Sequence, residues 1–171
     1  MRRTLFEGFT RSPLTEPPPS ADEAALAELA AKVDGAARKR LGRSLSIRQV
    51  DAGSCNGCEL EIHAMNNAIY NCERFGITFT ASPRFADMLL VTGPVALNME
   101  IALKRTYHAT PNPKIVVAVG DCACDGGIFG ESYASLGRIS NVIPVDAEIP
   151  GCPPTPVDLL LGILKVIGDK G

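Results

Sequence analysis

Six cysteines carry most of the chemistry this sequence offers: Cys55, Cys58, Cys72, Cys122, Cys124 and Cys152. Thiolates bind soft metals, exchange disulfides or attack electrophiles, and spacing and compartment decide which. Cys55-Asn-Gly-Cys58 has the C-x2-C form, Cys122-Ala-Cys124 is a tighter pair, and Cys152 stands alone before Pro153. An even cysteine number suits a disulfide framework only in a secreted chain. Met1-Arg-Arg-Thr-Leu-Phe6 has the look of a twin-arginine export signal, but Glu7-Gly-Phe-Thr-Arg11 and then Pro13 to Pro19 replace the apolar stretch that export needs. The expectation is no signal peptide and reduced thiols that bind metal or react.

The elements that must position these thiols alternate in type. Leu45–Val50, Ile77–Thr80, Asp87–Thr92, Lys114–Val119 and Val142–Val145 read as strands. Helices are predicted from the turn 51–57 to about Tyr70, over Ala96–Thr106 and over Thr155–Ile167. Strands separated by helices imply βαβ units, hence an α/β fold with a mostly parallel sheet covered on both faces. The C-terminal loops of such strands gather on one edge, where open α/β sheets bind ligands. Cys55 and Cys58 follow the first strand, Cys122 and Cys124 follow Lys114–Val119, and Cys152 follows Val142–Val145 after the loop 146–151. Three loops thus deliver four thiolates to one point despite their distance in sequence.

Four thiolates admit two main tenants. Zinc is commonly held by two C-x2-C knuckles, but only Cys55 and Cys58 have that form. A [4Fe–4S] cluster also takes four cysteines and accepts ligands from separate loops, and Cys152-Pro153 has the Cys-Pro ending of bacterial ferredoxin runs. A thioredoxin-like redox pair at Cys55 and Cys58 would leave Cys122 and Cys152 unexplained. Gly53, Gly57, Gly120, Gly126, Gly127 and Gly151 flank the cysteines. They suit backbone amides approaching cluster sulfurs, or ordinary turns. Neither glycine-rich stretch matches a phosphate loop.

The composition fits this reading. With 171 residues, 46% of them hydrophobic and 21% charged, the chain has the make-up of one globular domain plus a tail. A formal charge of −2 excludes a broad basic surface for nucleic acid. No apolar run approaches the ~20 residues of a membrane span. Residues 1–19 are polar and proline-rich. Ser20-Ala-Asp-Glu23 forms a capping box before a predicted helix to about Leu41, with Leu26, Leu29, Ala30, Val33, Ala37 and Leu41 along one stripe. Arg38, Lys39 and Arg40 suit its last turn, and Gly42 can end it. The chain therefore divides into an N-terminal tail and helical arm over 1–44 and a thiol-bearing α/β domain over 45–171. The alanine-heavy stripe fits either packing on its own domain or binding a partner.

Gly53-Ser-Cys-Asn-Gly-Cys-Glu59, Gly120-Asp-Cys-Ala-Cys-Asp-Gly-Gly127 and Ile149-Pro-Gly-Cys-Pro-Pro154 together resemble the small subunit of nickel–iron hydrogenases. They also resemble the homologous cluster-bearing subunit of respiratory NADH:quinone oxidoreductase (complex I). The resemblance runs in order over residues 45–165 and includes Ser82-Pro-Arg-Phe-Ala-Asp87 and Val91-Thr-Gly-Pro94. It is strongest toward the membrane-associated, energy-converting hydrogenases of the formate hydrogenlyase type. It implies a flavodoxin-like open sheet with helices on both faces and one proximal [4Fe–4S] cluster. It also implies electron transfer within an oxidoreductase complex, with no catalysis by this chain alone. The implied partners are a large subunit holding the nickel–iron site or a quinone pocket, a ferredoxin-like iron–sulfur subunit and membrane subunits. The implied location is cytoplasmic, attached to the inner membrane through those subunits.

Carried over by position, the resemblance makes Cys55, Cys58, Cys122 and Cys152 the ligands. Cys122 keeps the G-x-C-x-x-x-G-G spacing; Cys124, where the family has another residue type, is the alternative. Cys72 matches no ligand position and reads as a buried structural thiol. Residues 153–171 contain no cysteine, so one cluster is all this pattern accommodates. Glu59 and Glu61 are candidates for proton-coupled work, against the default of exposed helix carboxylates. His63 reads as a helix-face histidine, and Asp121 and Asp125 as turn formers. The complex I subunit carries its first two ligands as adjacent cysteines, whereas Asn56 and Gly57 separate them here in the hydrogenase pattern.

Overall fold

The structure, a computed structural model, describes residues 23–169. The proline-rich stretch and Ser20 of the capping box lie outside the described residues. Seven strands follow in chain order: β1 (Leu45–Asp51), β2 (Ile77–Phe79), β3 (Met88–Thr92), β4 (Ile115–Val119), β5 (Glu131–Ser132), β6 (Ser135–Leu136) and β7 (Ala147–Ile149). The helices are α1 (Glu23–Leu41), α2 (Gly57–Ala64), α3 (Leu97–Ala109), the single turn α4 (Asp121–Cys124) and α5 (Pro156–Asp169).

Alternation along the strands builds both faces of one sheet. Leu45, Ile47, Met88, Leu90, Ile115, Val117 and Val119 enter one buried layer, while Val50, Leu89, Val91, Val116 and Ala118 enter the other. Successive strand side chains point to opposite faces, so a run apolar at every position must be buried on both. The sheet is parallel throughout, in the order β2-β1-β3-β4-β7. That is the flavodoxin-like order 2-1-3-4-5. The first layer is closed by Val33 and Ala37 of α1, Ile62 of α2 and Leu159, Leu160 and Ile163 of α5. The second is closed by Leu103 of α3 and by Ile139 and Ile143. Leu29, Val33, Ala37 and Leu41 of the α1 stripe thus pack on the chain's own domain, and α1 lies against α5.

Two elements differ from the sequence expectation. Val142–Val145 is not a strand. Ile139 and Ile143 turn into the second layer around a 3-10 turn, Ile139–Asn141, and Pro144 has no N–H for a ladder. Pairing with β4 starts only where Asp146 N–H donates to Val116 O at 2.8 Å and Asp146 Oδ2 accepts from Val116 N–H at 2.8 Å. The strand is therefore β7, Ala147–Ile149, close before Cys152. The helix expected to reach Tyr70 stops at Ala64, because Asn67 Oδ1 takes the N–H groups of Ile69 and Tyr70 at 2.9 and 3.0 Å. The final helix keeps Leu159, Leu160, Ile163, Val166 and Ile167 in the chain's own core and leaves Leu161 exposed.

Candidate metal centre

Every strand of the parallel sheet points the same way, so the loops after β1, β3, β4 and β7 share one edge. Between β1 and β3 the strand order reverses, which opens a crevice there. The loop after β1 is held by Asp51 Oδ1, which accepts from Gly53 N–H at 2.7 Å and Ser54 N–H at 2.8 Å. Ser54 Oγ accepts from Asn56 N–H at 3.0 Å, Asn56 adopts a left-handed φ of 75°, and α2 starts at Gly57. This fold-back leaves Cys55 exposed on the loop and Cys58 half-buried in the first turn of α2.

After β4 the chain enters Gly120 at φ 87° and winds the turn α4, carrying Cys122. After β7 it passes Gly151 at φ 136° to the exposed Cys152. The ladder continues past the strands: Gly120 N–H donates to Ile149 O at 2.8 Å and Asp121 N–H to Gly151 O at 3.0 Å. The three loops meet. A Cβ on Gly57 would lie 3.6 Å from Cys55 Sγ and 3.9 Å from Pro153 Cβ. A Cβ on Gly120 would lie 2.5 Å from Cys58 Sγ and 3.4 Å from Gly151 O, and one on Gly127 would lie 2.8 Å from Cys122 Sγ. At Gly120 and Gly127, then, the missing side chain is the space the thiols occupy.

The electrostatics report the same convergence. Burial, then the charges of Glu59, Cys55, Cys122 and Cys152, push the Cys58 thiol up to about 12. Burial, then Cys152 and Cys55, then Asp121 and Asp125, raise Cys122. Four thiols therefore sense one another across three loops, and ionising them together is unfavourable without a cation. Among the described residues, no group of three or more His, Cys, Asp or Glu side chains is arranged to hold a single metal ion.

The other sequence candidates separate from this group. Cys124 turns away within α4: its Sγ–H faces Ala118 O at 3.8 Å, and the side chain packs on the second layer. Burial, followed by Glu148, Asp121 and Asp125, pushes it up to about 12. Cys72 is fully buried in the first layer, its thiol donating to Asn66 Oδ1 at 2.8 Å. Glu59 is not the exposed carboxylate expected; it is 4% exposed and accepts hydrogen bonds from the Ser54 and Thr92 hydroxyls. Glu61 is half-buried and His63 exposed. Asp125 is a turn former, accepting from Gly127 N–H at 2.7 Å. Asp121 does more, since its Oδ1 accepts from Gly151 N–H at 2.7 Å, thirty positions along the chain. Both carboxylate ties were missed. No local spacing signals the Thr92 and Gly151 partners, which come from β3 and from the loop after β7.

Fold and edge define a flavodoxin-like α/β domain with a thiol-lined C-terminal edge. The chain belongs to the family described as NADH ubiquinone oxidoreductase, 20 Kd subunit, whose profile matches residues 55–166. It is 46% identical over 129 residues to the probable membrane-bound hydrogenase subunit mbhJ of Pyrococcus furiosus, covering 75% of this chain and 77% of that one. It is 44% identical over 130 residues to formate hydrogenlyase subunit 7 of Escherichia coli, covering 76% of this chain and 51% of that one. Among solved structures, the membrane-bound sulfane sulfur reductase, an archaeal respiratory membrane complex, contains a chain with a TM-score of 0.65 and 36% identity, covering 80% of this chain and 74% of that one. By family, the chain is an oxidoreductase subunit.

Proposed function

We propose that this chain is an electron-transfer subunit in which Cys55, Cys58, Cys122 and Cys152 hold one [4Fe–4S] cluster. The observation that carries the reading is the convergence of those four thiols, from the loops after β1, β4 and β7, around glycines whose side chains would collide with sulfur. The donor set fits the group: four soft thiols brought from three separate loops suit a multi-iron centre, whose ligands can arrive from separate loops, whereas zinc is commonly held by paired C-x2-C knuckles. Such a cluster supplies one-electron transfer. The chain's own part is to fix the thiols on three loops and to bury Cys58 so that water is limited there. Glu59 and Glu61 stand beside Cys58 as candidates for moving protons with electrons. Anaerobic purification tests the reading: absorption near ~400 nm with equal iron and sulfide supports it, and a colourless chain with one zinc overturns it.

The partner is a large subunit of the hydrogenase type, which carries any nickel–iron site and covers the thiol edge. Next to that edge, Ile128 and Tyr133 in and beside the β5–β6 hairpin are 93% and 96% exposed, which suits an apolar neighbour. A ferredoxin-like subunit and membrane subunits complete the assembly, at the cytoplasmic side of the inner membrane. Attachment runs through those subunits, and among the described residues no helix is long and apolar enough to cross a membrane. The C-x2-C spacing of Cys55 and Cys58 favours the hydrogenase type over the quinone reductase type. A partner large subunit with two C-x2-C pairs and hydrogen evolution by the complex supports that choice; hydrogen-independent quinone reduction defeats it and leaves the cluster assignment standing.

A further inference from the structure

We infer that Asp121 is the positioning residue that holds the fourth ligand loop in place, and this inference rests on the [4Fe–4S] reading above. The loop from β7 to α5 runs Pro150-Gly-Cys-Pro-Pro-Thr155, and its three prolines have no N–H to anchor it. Of the remaining donors, Thr155 N–H is taken forward by Asp158 Oδ2 at 3.1 Å, as part of a reciprocal cap in which Thr155 Oγ–H also donates to that oxygen at 2.6 Å. This fixes the loop to α5, beyond Cys152. On the near side, the tie is the Gly151 N–H donated to Asp121 Oδ1 at 2.7 Å, with Asp121 N–H returned to Gly151 O at 3.0 Å.

This reciprocal pair joins residues that directly precede Cys122 and Cys152. It extends the β4–β7 ladder one step beyond the sheet and sets two ligands from different loops in register. A carboxylate acceptor strengthens such a bond, and Asp121 is only partly exposed, so water competes poorly. Cys152 itself is exposed on its loop, so neither packing nor burial holds it. Without the tie, Cys152 is the ligand that drifts.

The experiment uses the full chain, loaded anaerobically with iron and sulfide, and its Asp121→Ala and Asp121→Asn variants, with Cys152→Ser as reference. After ferricyanide oxidation, Asp121→Ala should give the electron paramagnetic resonance signal of a three-iron cluster, as Cys152→Ser does, because the iron that loses its thiol is released. Asp121→Asn keeps an oxygen acceptor and should keep the four-iron signature. In the metal-free chain, hydrogen exchange of the Gly151 amide should rise about tenfold or more in Asp121→Ala and little in Asp121→Asn. A wild-type spectrum in Asp121→Ala, or identical behaviour of both variants, overturns the tether. Unchanged Gly151 exchange overturns it independently of any cluster. A wild-type chain that takes up no iron and sulfide defeats the functional reading alone, and the exchange measurement still decides the tether.

Discussion

The cysteines fall into two populations with different physics. Cys72 and Cys124 each sit in an apolar layer, one per face of the sheet, with the thiol directed at a single acceptor: Asn66 Oδ1 for Cys72, Ala118 O for Cys124. The edge thiols have one another as neighbours instead. Burial raises Cys58 and Cys72 alike, but at Cys58 three other thiols add to it. A thiol with an acceptor in a packed layer is at rest. A thiol among thiols is frustrated until positive charge arrives, which is why the edge reads as a site and the layers do not.

The largest expected effect tests that division directly. Cys55→Ser, Cys58→Ser, Cys122→Ser and Cys152→Ser should each lose or degrade the cluster, read as iron and sulfide per chain. Cys72→Ser and Cys124→Ser should retain it. Cluster loss in Cys124→Ser alongside retention in Cys122→Ser would reverse the assignment of α4 and break the comparison at its centre. The mirror experiment substitutes the layers. Ile163→Ala removes a fully buried side chain from the first layer and should cost about 2–5 kcal/mol of stability in denaturant unfolding. It should leave the cluster type unchanged in whatever fraction folds. A changed spectrum there would mean that edge and core are one cooperative unit.

Gly120→Ala is expected to have a smaller effect of the opposite kind. The left-handed φ of 87° costs an alanine roughly 1–2 kcal/mol, and the new methyl would lie 2.5 Å from Cys58 Sγ. Cluster content should fall more than the metal-free chain's stability does. Equal falls would show that Gly120 serves the fold rather than the thiols.

How much of this was legible in the sequence follows from locality. The alternating and continuous apolar runs of Leu45–Val50 and Lys114–Val119 announce buried strands, and βαβ order announces a parallel sheet, so the shared edge is readable before any coordinates. The apolar cluster at 142–145 misleads because Ile143 is buried from a turn, not from a strand. At the site, C-x2-C and the flanking glycines are local signals. Whether Cys122 or Cys124 faces the other thiols depends on α4 being a helical turn, in which alternate residues part company, rather than extended chain, in which they share a face. The burial of Glu59 depends on Thr92, thirty-three positions away on β3, and no spacing rule reaches that far.

The smallest expected effect sharpens the resting side of the comparison. Cys72 is pushed from an ordinary value of 9.0 up to about 11, by burial and then by Glu73. Its thiolate is therefore scarce near neutral pH, and the side chain is fully buried, so alkylation of the metal-free chain should reach it last, well after Cys55. Stability linkage gives a second readout with a definite sign. Below about 9 the thiol is protonated in both folded and unfolded chains and contributes no pH dependence. As the pH rises from about 9 toward about 11, the unfolded chain releases this proton while the folded chain still holds it, so stability falls. Cys72→Ala deletes the group, so its stability should decline less steeply across that window than the parent's, the other thiols being common to both. Parallel alkaline declines, or alkylation of Cys72 as fast as Cys55, would place Cys72 among the reactive thiols and leave Cys124 alone on the resting side.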